Sequence, residues 1–299
     1  MTGTIATGRS TYRGRFAPSP TGHLHLGSLV GALVSYLDAR AHDGTWLVRI
    51  DDIDPPREIA GAADSILRSL EAHGLNCDES PRFQSQSRQL HDDAVRELLD
   101  EGALFFCSCA RKMLRRTQPT GRYPGTCRQR GLDKGALRVR VEAAPIEIQD
   151  RWQSTHVYDL SADPGDFIVR RRDGLIAYQL ACVIDDAAQN ITHVVRGIDL
   201  FESTPRQHYL QSKLQLPHPD YAHFPVVIGK DGDKLSKQTG AHALDSAHAG
   251  RNLAQALDLL GFNPPPTLQS EAPANIVAWA QLHYVTTMFR GQQQIAQYS

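Results

Sequence analysis

The chain has 299 residues, 41% of them hydrophobic, and 32 Lys or Arg against 33 Asp or Glu give a formal net charge of −1. That balance excludes a disordered polyion, and the length allows a large core without covalent staples. Five cysteines, an odd number with three of them clustered, argue against a secreted disulfide framework and for a reducing cytoplasm, and no apolar run approaches a membrane span.

Residues 1–12 are polar and Gly/Thr-rich and read as a flexible tail, not a signal peptide. Arg15, Phe16 and Ala17 read as the end of a first strand, Pro18 and Pro20 forbid its continuation, and Gly22 permits a tight turn. A helix opens near His25, because Leu26, Leu29, Val30, Leu33, Val34 and Leu37 recur at helical spacing. Its first N–H groups lack intrachain partners and carry positive dipole character, so they attract a phosphate. His25 and Ser28 can add donors, and Gly27 lets a nucleotide approach the backbone. Taken alone, the stretch leaves a plain strand-turn-helix open.

Thr45 to Ile50 reads as the next strand, followed by Asp51, Asp52, Asp54 and Arg57. Acidic groups at a strand's carboxyl end could hold a substrate ammonium or cap the next helix. Residues 58–75 and 87–102 have helical periodicity and should cover the sheet, with Cys77 between them as a core thiol.

From Phe105 the character changes. Cys107, Cys109 and Cys127 lie within 21 residues together with Tyr123, Pro119, Gly121, Pro124 and Gly125, a loop with little core of its own. A structural zinc knot and three unligated cysteines both fit this pattern. Residues 111–140 hold ten Arg or Lys and one acid, Asp133, for +9, so the rest of the chain carries −10. A basic lobe on an acidic body draws polyanions to one surface; a solvated helix with spare arginines is the plainer reading. Residues 136–170 alternate apolar and polar side chains as antiparallel strands do, and the sheet is expected to resume at Ile176–Cys182, with Cys182 in the core, then Val183–Asp186 and Thr192–Arg196.

Lys230 to Lys237 is a polar loop with three lysines, suited to closing over a triphosphate, although a solvated turn has the same composition. Only 61 residues follow Gln238, read as helices over about 246–260 and 272–289 around a break at Pro264 to Pro266.

Five of these stretches together carry a resemblance. His25-Leu-Gly-Ser28 and Lys234-Leu-Ser-Lys-Gln238 resemble the two signature motifs of class I aminoacyl-tRNA synthetases. Arg15 to Gly22, Arg49 to Arg57 and Ile191 to Gly197 resemble the glutamyl branch. The resemblance spans about residues 13–240 and implies an α/β fold: a Rossmann-type parallel sheet in a catalytic domain, residues 13–245. A zinc-binding and connective insertion at about 105–170 would interrupt it, and residues 246–299 would form a short helical, stem-contact-like region. Full glutamyl-tRNA synthetases append a large anticodon-reading region where this chain has 61 residues, so the truncated glutamyl-queuosine tRNA(Asp) synthetases are the family it looks most like.

That family activates glutamate with ATP without needing tRNA, then attaches it to queuosine in the anticodon loop of tRNA(Asp). The resemblance implies His25 and Lys237 as catalytic residues and His25, Gly27, Ser28, Lys234, Ser236 and Lys237 as the ATP site, with Mg2+ on the triphosphate. It implies Arg15, Ser19, Asp51, Tyr178 and Arg196 around L-glutamate, and Cys107, Cys109, Tyr123 and Cys127 around one structural zinc. Two guanidiniums, Arg15 and Arg196, can each fork a substrate carboxylate, or pair with Asp185, Asp186 or Asp199. Asp51 stands where the branch usually has Glu, so its contact with the substrate amine shifts or passes through water. The expected state is a cytoplasmic monomer. A small glutamyl-tRNA synthetase charging a 3′ end, a superfamily nucleotidyltransferase and a non-catalytic zinc RNA-binding module are the alternatives.

Overall fold

The computed structural model describes residues 11–117, 122–227 and 243–295. Strand β1 (Arg13–Phe16) opens the chain and stops at the Pro18–Pro20 stretch; helix α1 (Leu26–Ala41) follows and returns the chain to β2 (Thr45–Ile50), paired parallel to β1 with Arg15 opposite Leu47. Then come α2 (Ala62–Ala72), β3 (Arg82–Phe83) and α3 (Arg88–Asp100), the helices within the expected ranges. The main sheet runs β10-β9-β1-β2-β3, where β9 is His193–Gly197 and β10 is Asp220–Phe224, and every pair in it is parallel. Chain order runs outward from β1 toward β3 on one side, while β9 and β10 fill the other. The crevice above β1 is therefore a topological switch point, where open α/β sheets take ligands.

Residues 104–170 leave this sheet, except that Asp150 bridges in parallel to Tyr221 of β10. Strands β4 (Leu104–Cys107), β5 (Ala136–Val139) and β8 (Ile168–Arg170) form an antiparallel sheet, β6 (Pro145–Ile148) and β7 (His156–Asp159) pair as a separate hairpin, and α4 (Arg111–Thr117) projects after β4. The expected antiparallel insertion is present.

One expectation fails. Ile176–Cys182 does not resume the sheet; helix α5 (Tyr178–Ala188) occupies this stretch and runs through Val183 to Asp186 as well. Leu180, Val183 and Ile184 lie three and four residues apart and face one apolar cluster with Leu137, Val139 and Val169 of the insertion, a contact that favours the helical period over alternation. Asn190, at φ 52, ends the turn beyond the helix in the left-handed region, which Asn tolerates.

The chain continues through α6 (Thr204–Lys213) to β10, then β11 (Val226–Val227), α7 (Ala249–Leu259), α8 (Pro273–His283) and β12 (Gln294–Ile295), with β11 parallel to β12. Leu253 and Leu257 of α7 and Ile276 and Val277 of α8 share one buried cluster with Leu29, Leu33 and Leu37 of α1. These late helices thus brace the helix whose N-terminus faces the crevice. No described helix is long and apolar enough to cross a membrane.

Candidate active site

The crevice is a cavity of about 560 Å³ lined by Arg15 and Phe16 at the end of β1, the turn to α1, Asp51 past β2, Arg196 and Gly197 at the end of β9 and Phe224 of β10. Of the site residues named from sequence, it gathers Arg15, Ser19, His25, Gly27, Ser28, Asp51, Tyr178 and Arg196. Lys234, Ser236 and Lys237 lie outside the described residues.

His25 is the N-cap of α1, and its Nδ1 accepts the Ser28 N–H at 3.3 Å. A neutral ring accepting at Nδ1 carries its proton on Nε2, which stands 2.9 Å from Ser28 Oγ. The pair fixes the histidine against the first turn, beside N–H groups that favour an anion. Gly27 lines the same wall.

Beneath the opposite wall, four charges are locked together. Arg15, 4% exposed, donates Nε and Nη2 to the two oxygens of Asp186 at 3.1 and 3.2 Å. Arg49, buried in β2, donates Nη1 to the same Asp186 at 2.7 Å and Nε to Asp51 Oδ1 at 2.7 Å. Burial opposes ionisation of Asp186, but the two guanidiniums outweigh it and hold its carboxyl down at about 2. Asp51 goes the other way: burial raises its pKa despite Arg49 and Arg15. Of the alternatives for Arg15, an ion pair with Asp186 is present, yet the guanidinium also lines the cavity.

Arg196 has no such counterion among the described residues. It is 6% exposed and donates to Thr204 Oγ1 (2.8 Å), Gln207 Oε1 (2.8 Å), Tyr178 Oη (3.3 Å) and His223 Nε2 (3.0 Å), all neutral or ring acceptors. A buried cation that lines a cavity and has no ion pair among the described residues is costly alone and is satisfied by an anionic ligand.

Cys182 is buried, as expected of a core thiol, and also borders the cavity. Its sulfur lies 3.6 Å from Arg15 Nη2 and 3.5 Å from Asp186 Oδ2 and lines the cavity, and burial pushes its pKa up to about 11. Cys77 packs, half-buried, on the main core as expected. Arg49, Asp186 and Cys182 were missed as site residues. The available signals were an arginine inside the apolar run Trp46–Ile50 and an acidic pair inside apolar α5.

In the insertion, the sulfurs of Cys107, Cys109 and Cys127 all lie within 4.8 Å of one another, with Cys109 and Cys127 3.6 Å apart. Tetrahedral zinc with Zn–S of about 2.3 Å needs sulfurs ~3.8 Å apart, so the donor set fits a metal. Tyr123 Oη stands 3.4 Å from Cys107 Sγ and accepts the Cys127 N–H at 2.9 Å. Burial raises the Cys109 thiol to about 11; it also opposes ionisation of Cys127, yet hydrogen bonds led by Tyr123 bring that thiol down to about 6. Gly135, at φ 136, is required here because a Cβ would overlap the Cys107 carbonyl.

Around this cluster, the +9 lobe divides in two. Arg128 pairs with Asp166, Arg138 donates to Asp166 O at 2.6 Å and stacks 3.9 Å over Tyr123, and Arg140 donates to Gly102 O at 3.1 Å. Lys112, Arg116, Arg122, Arg130 and Lys134 are exposed.

The comparisons with known proteins agree with this geometry. The family model for class I tRNA synthetases (E and Q), catalytic domain, matches residues 11–266. A glutamyl-Q tRNA(Asp) synthetase of Cupriavidus metallidurans is 55% identical over 248 residues, 79% of this chain and 80% of that protein. One from Ectopseudomonas mendocina is 47% identical over 92% of this chain and 94% of its own length. The chain belongs to the glutamyl-Q tRNA(Asp) synthetase family. Among solved structures, a glutamate tRNA ligase from Elizabethkingia meningosepticum, crystallised with its amino acid, superposes with a TM-score of 0.78 at 23% identity. It covers 97% of this chain and 67% of that one, and at this identity the likeness concerns the fold. The α/β class I synthetase fold read from the motifs is thus borne out, as is membership in the glutamyl-Q tRNA(Asp) synthetase family.

Proposed function

We propose that this chain activates L-glutamate with ATP to glutamyl-adenylate without tRNA, then transfers the glutamyl group to queuosine in the anticodon loop of tRNA(Asp). The observation that carries the reading is Arg196, a buried cation without an ion pair among the described residues, lining the same cavity as a helix N-terminus suited to phosphate. The family names support the nucleic-acid half of it.

In this mechanism ATP lies across the first turn of α1, its phosphates near His25, Gly27 and Ser28, with Lys234, Ser236 and Lys237 adding donors and charge, and bound Mg2+ would supply further charge neutralisation. Arg15 and Arg196 each engage one substrate carboxylate, Ser19 and Tyr178 flank it, and Asp51 faces the ammonium. The α-carboxylate attacks the α-phosphorus in line, and pyrophosphate leaves. Positioning and charge neutralisation carry this step. A cyclopentene hydroxyl of queuosine then attacks the mixed anhydride, its proton passes to the departing phosphate, and AMP is released.

Cys107, Cys109, Cys127 and Tyr123 would hold one zinc. That ion would supply a crosslink to a lobe whose exposed cations grip RNA, and it stands apart from the phosphate chemistry. In this reading residues 13–245 form the catalytic unit with the insertion at about 105–170, residues 246–299 form the stem-contact-like region, and the enzyme works as a cytoplasmic monomer.

The test uses labelled glutamate, ATP and queuosine-bearing tRNA(Asp), followed by nuclease mapping. Label on the anticodon fragment is expected. Label on the terminal adenosine would instead make the chain a small glutamyl-tRNA synthetase.

A further inference from the structure

Arg196 must be aimed without being neutralised, because a carboxylate set against it would cancel the charge that a substrate anion needs. The acceptor at its Nε is His223 Nε2, 3.0 Å away, and the Thr204 hydroxyl lies 3.3 Å from the same ring nitrogen. An imidazole nitrogen accepts only when it carries no proton. The bond to Arg196 therefore exists in one neutral tautomer, and is lost both in the other and in the imidazolium.

The tautomer is chosen on the far side of the ring. Asp150 Oδ2 lies 2.5 Å from His223 Nδ1. Asp150 Oδ1 accepts the N–H groups of Trp152 (2.9 Å), Gln153 (2.9 Å) and His223 itself (3.2 Å). A carboxylate held by three backbone donors is ionised and can only accept, which puts the ring proton on Nδ1. Both side chains are fully buried, and Phe201 closes edge-on over the ring with centroids 4.9 Å apart. Burial, helped by Arg196 and opposed by Asp150 and Asp199, brings the His223 pKa down to about 4, so the ring is neutral near pH 7.

We propose that Asp150 is a positioning residue of the amino-acid pocket: it locks His223 in the Nδ1–H tautomer, leaving Nε2 to orient Arg196 toward a substrate carboxylate while the guanidinium keeps its full charge. The proposal rests on the reading that Arg196 binds glutamate. Asp150 reaches β10 from within the insertion, in the connection between β6 and β7, where it forms a parallel bridge to Tyr221. No motif of the first 60 residues contains it.

Asp150→Asn is nearly isosteric and tests the lock. Its amide oxygen keeps the three backbone donors, which turns the NH2 group toward the ring and drives the ring proton to Nε2, donor against donor with Arg196. The glutamate KM in ATP–pyrophosphate exchange is expected to rise at least tenfold, with the ATP KM within twofold of wild type. His223→Gln supplies an amide oxygen near the Nε2 position that accepts whatever residue 150 offers. In the double variant D150N/H223Q the glutamate KM should therefore return to within threefold of H223Q alone. A loss that persists in the double variant, or that moves both KM values together, would mean Asp150 only braces the fold and overturns the proposal.

Nitrogen NMR of the His223 ring reads the lock without turnover. Protonated Nδ1 and bare Nε2 are expected in the wild type, and the reverse in D150N; a wild-type ring protonated at Nε2 overturns the proposal. A wild-type protein that activates no glutamate yet shows the Nδ1–H ring would remove the glutamate reading and uphold the lock.

Discussion

Two buried arginines share one carboxylate beneath the cavity, and that sharing sets what each can offer a substrate. Arg15 gives Nε and Nη2 to Asp186, and Nη1 has no acceptor among the described residues. Asp186→Asn removes the counter-charge while keeping the shape, so Arg15 should lose its orientation and the glutamate KM should rise about tenfold, with the ATP KM little changed. The same substitution has a pH signature. Asp186 ionises at about 2 in the folded protein against an ordinary value near 3.8. Its contribution is complete above the unfolded value and is lost as pH falls through the folded one, on the order of 2 kcal/mol between about pH 4 and pH 2. Urea melts at pH 5, 4 and 3 should show a shallower acid loss for the Asn variant than for wild type. Equal slopes would assign the acid sensitivity elsewhere.

The insertion is where single elements bear on function. Strands β4 and β5 bring Cys107 beside Gly135, and the Cys109 to Cys127 loop folds back so that the three sulfurs converge. With so little apolar packing of its own, a cysteine cluster of this kind would draw order from the proposed zinc. Treating the protein with a mercurial and a chelator should release one zinc per chain, read with a metal indicator. Transfer to tRNA should then fall at least tenfold while glutamate-dependent exchange stays within twofold. Immediate loss of exchange in still-folded protein would put the metal in the catalytic unit instead. The exposed cations on the same element carry a separate prediction. Replacing Lys112, Arg116, Arg122 and Arg130 by Gln should weaken tRNA binding and flatten its dependence on salt by up to four phosphate contacts, without changing exchange. An unchanged salt slope would exclude this face as the RNA contact.

For the molecule as a whole, the decisive tie is Asp38, fully buried on α1. It accepts the hydroxyls of Tyr12 (2.6 Å) and Tyr284 (2.9 Å) and both terminal nitrogens of Arg151 (2.7 and 3.0 Å). One carboxylate thus joins the segment before β1, the β6–β7 connection of the insertion and the C-terminal segment. Burial opposes its ionisation, but Arg151 and the two hydroxyls outweigh it and lower its pKa. Asp38→Ala would leave Arg151 and two phenols without their partner and should cost about 3–5 kcal/mol, measured by denaturant unfolding. A loss below 1 kcal/mol would show that the three segments are held by apolar packing alone.

The sequence by itself determined the local punctuation: the stop at Pro18 and Pro20, the apolar stripe of α1, the Cys107, Cys109 and Cys127 group, and the order of motifs that marks a class I synthetase. Such signals survive in one dimension because prolines, helical periods and short loops act between residues close in the chain. The same local rules misread Ile176–Cys182 as a strand, since its helical period is fixed by packing on Leu137, Val139 and Val169. Only the tertiary structure decided which charges stay paired. Arg15 found Asp186, 171 residues away, while Arg196 was left to neutral acceptors and to a histidine set by Asp150. Burial makes those pairings matter, because a charge removed from water must find its partner in space, wherever along the chain that partner lies.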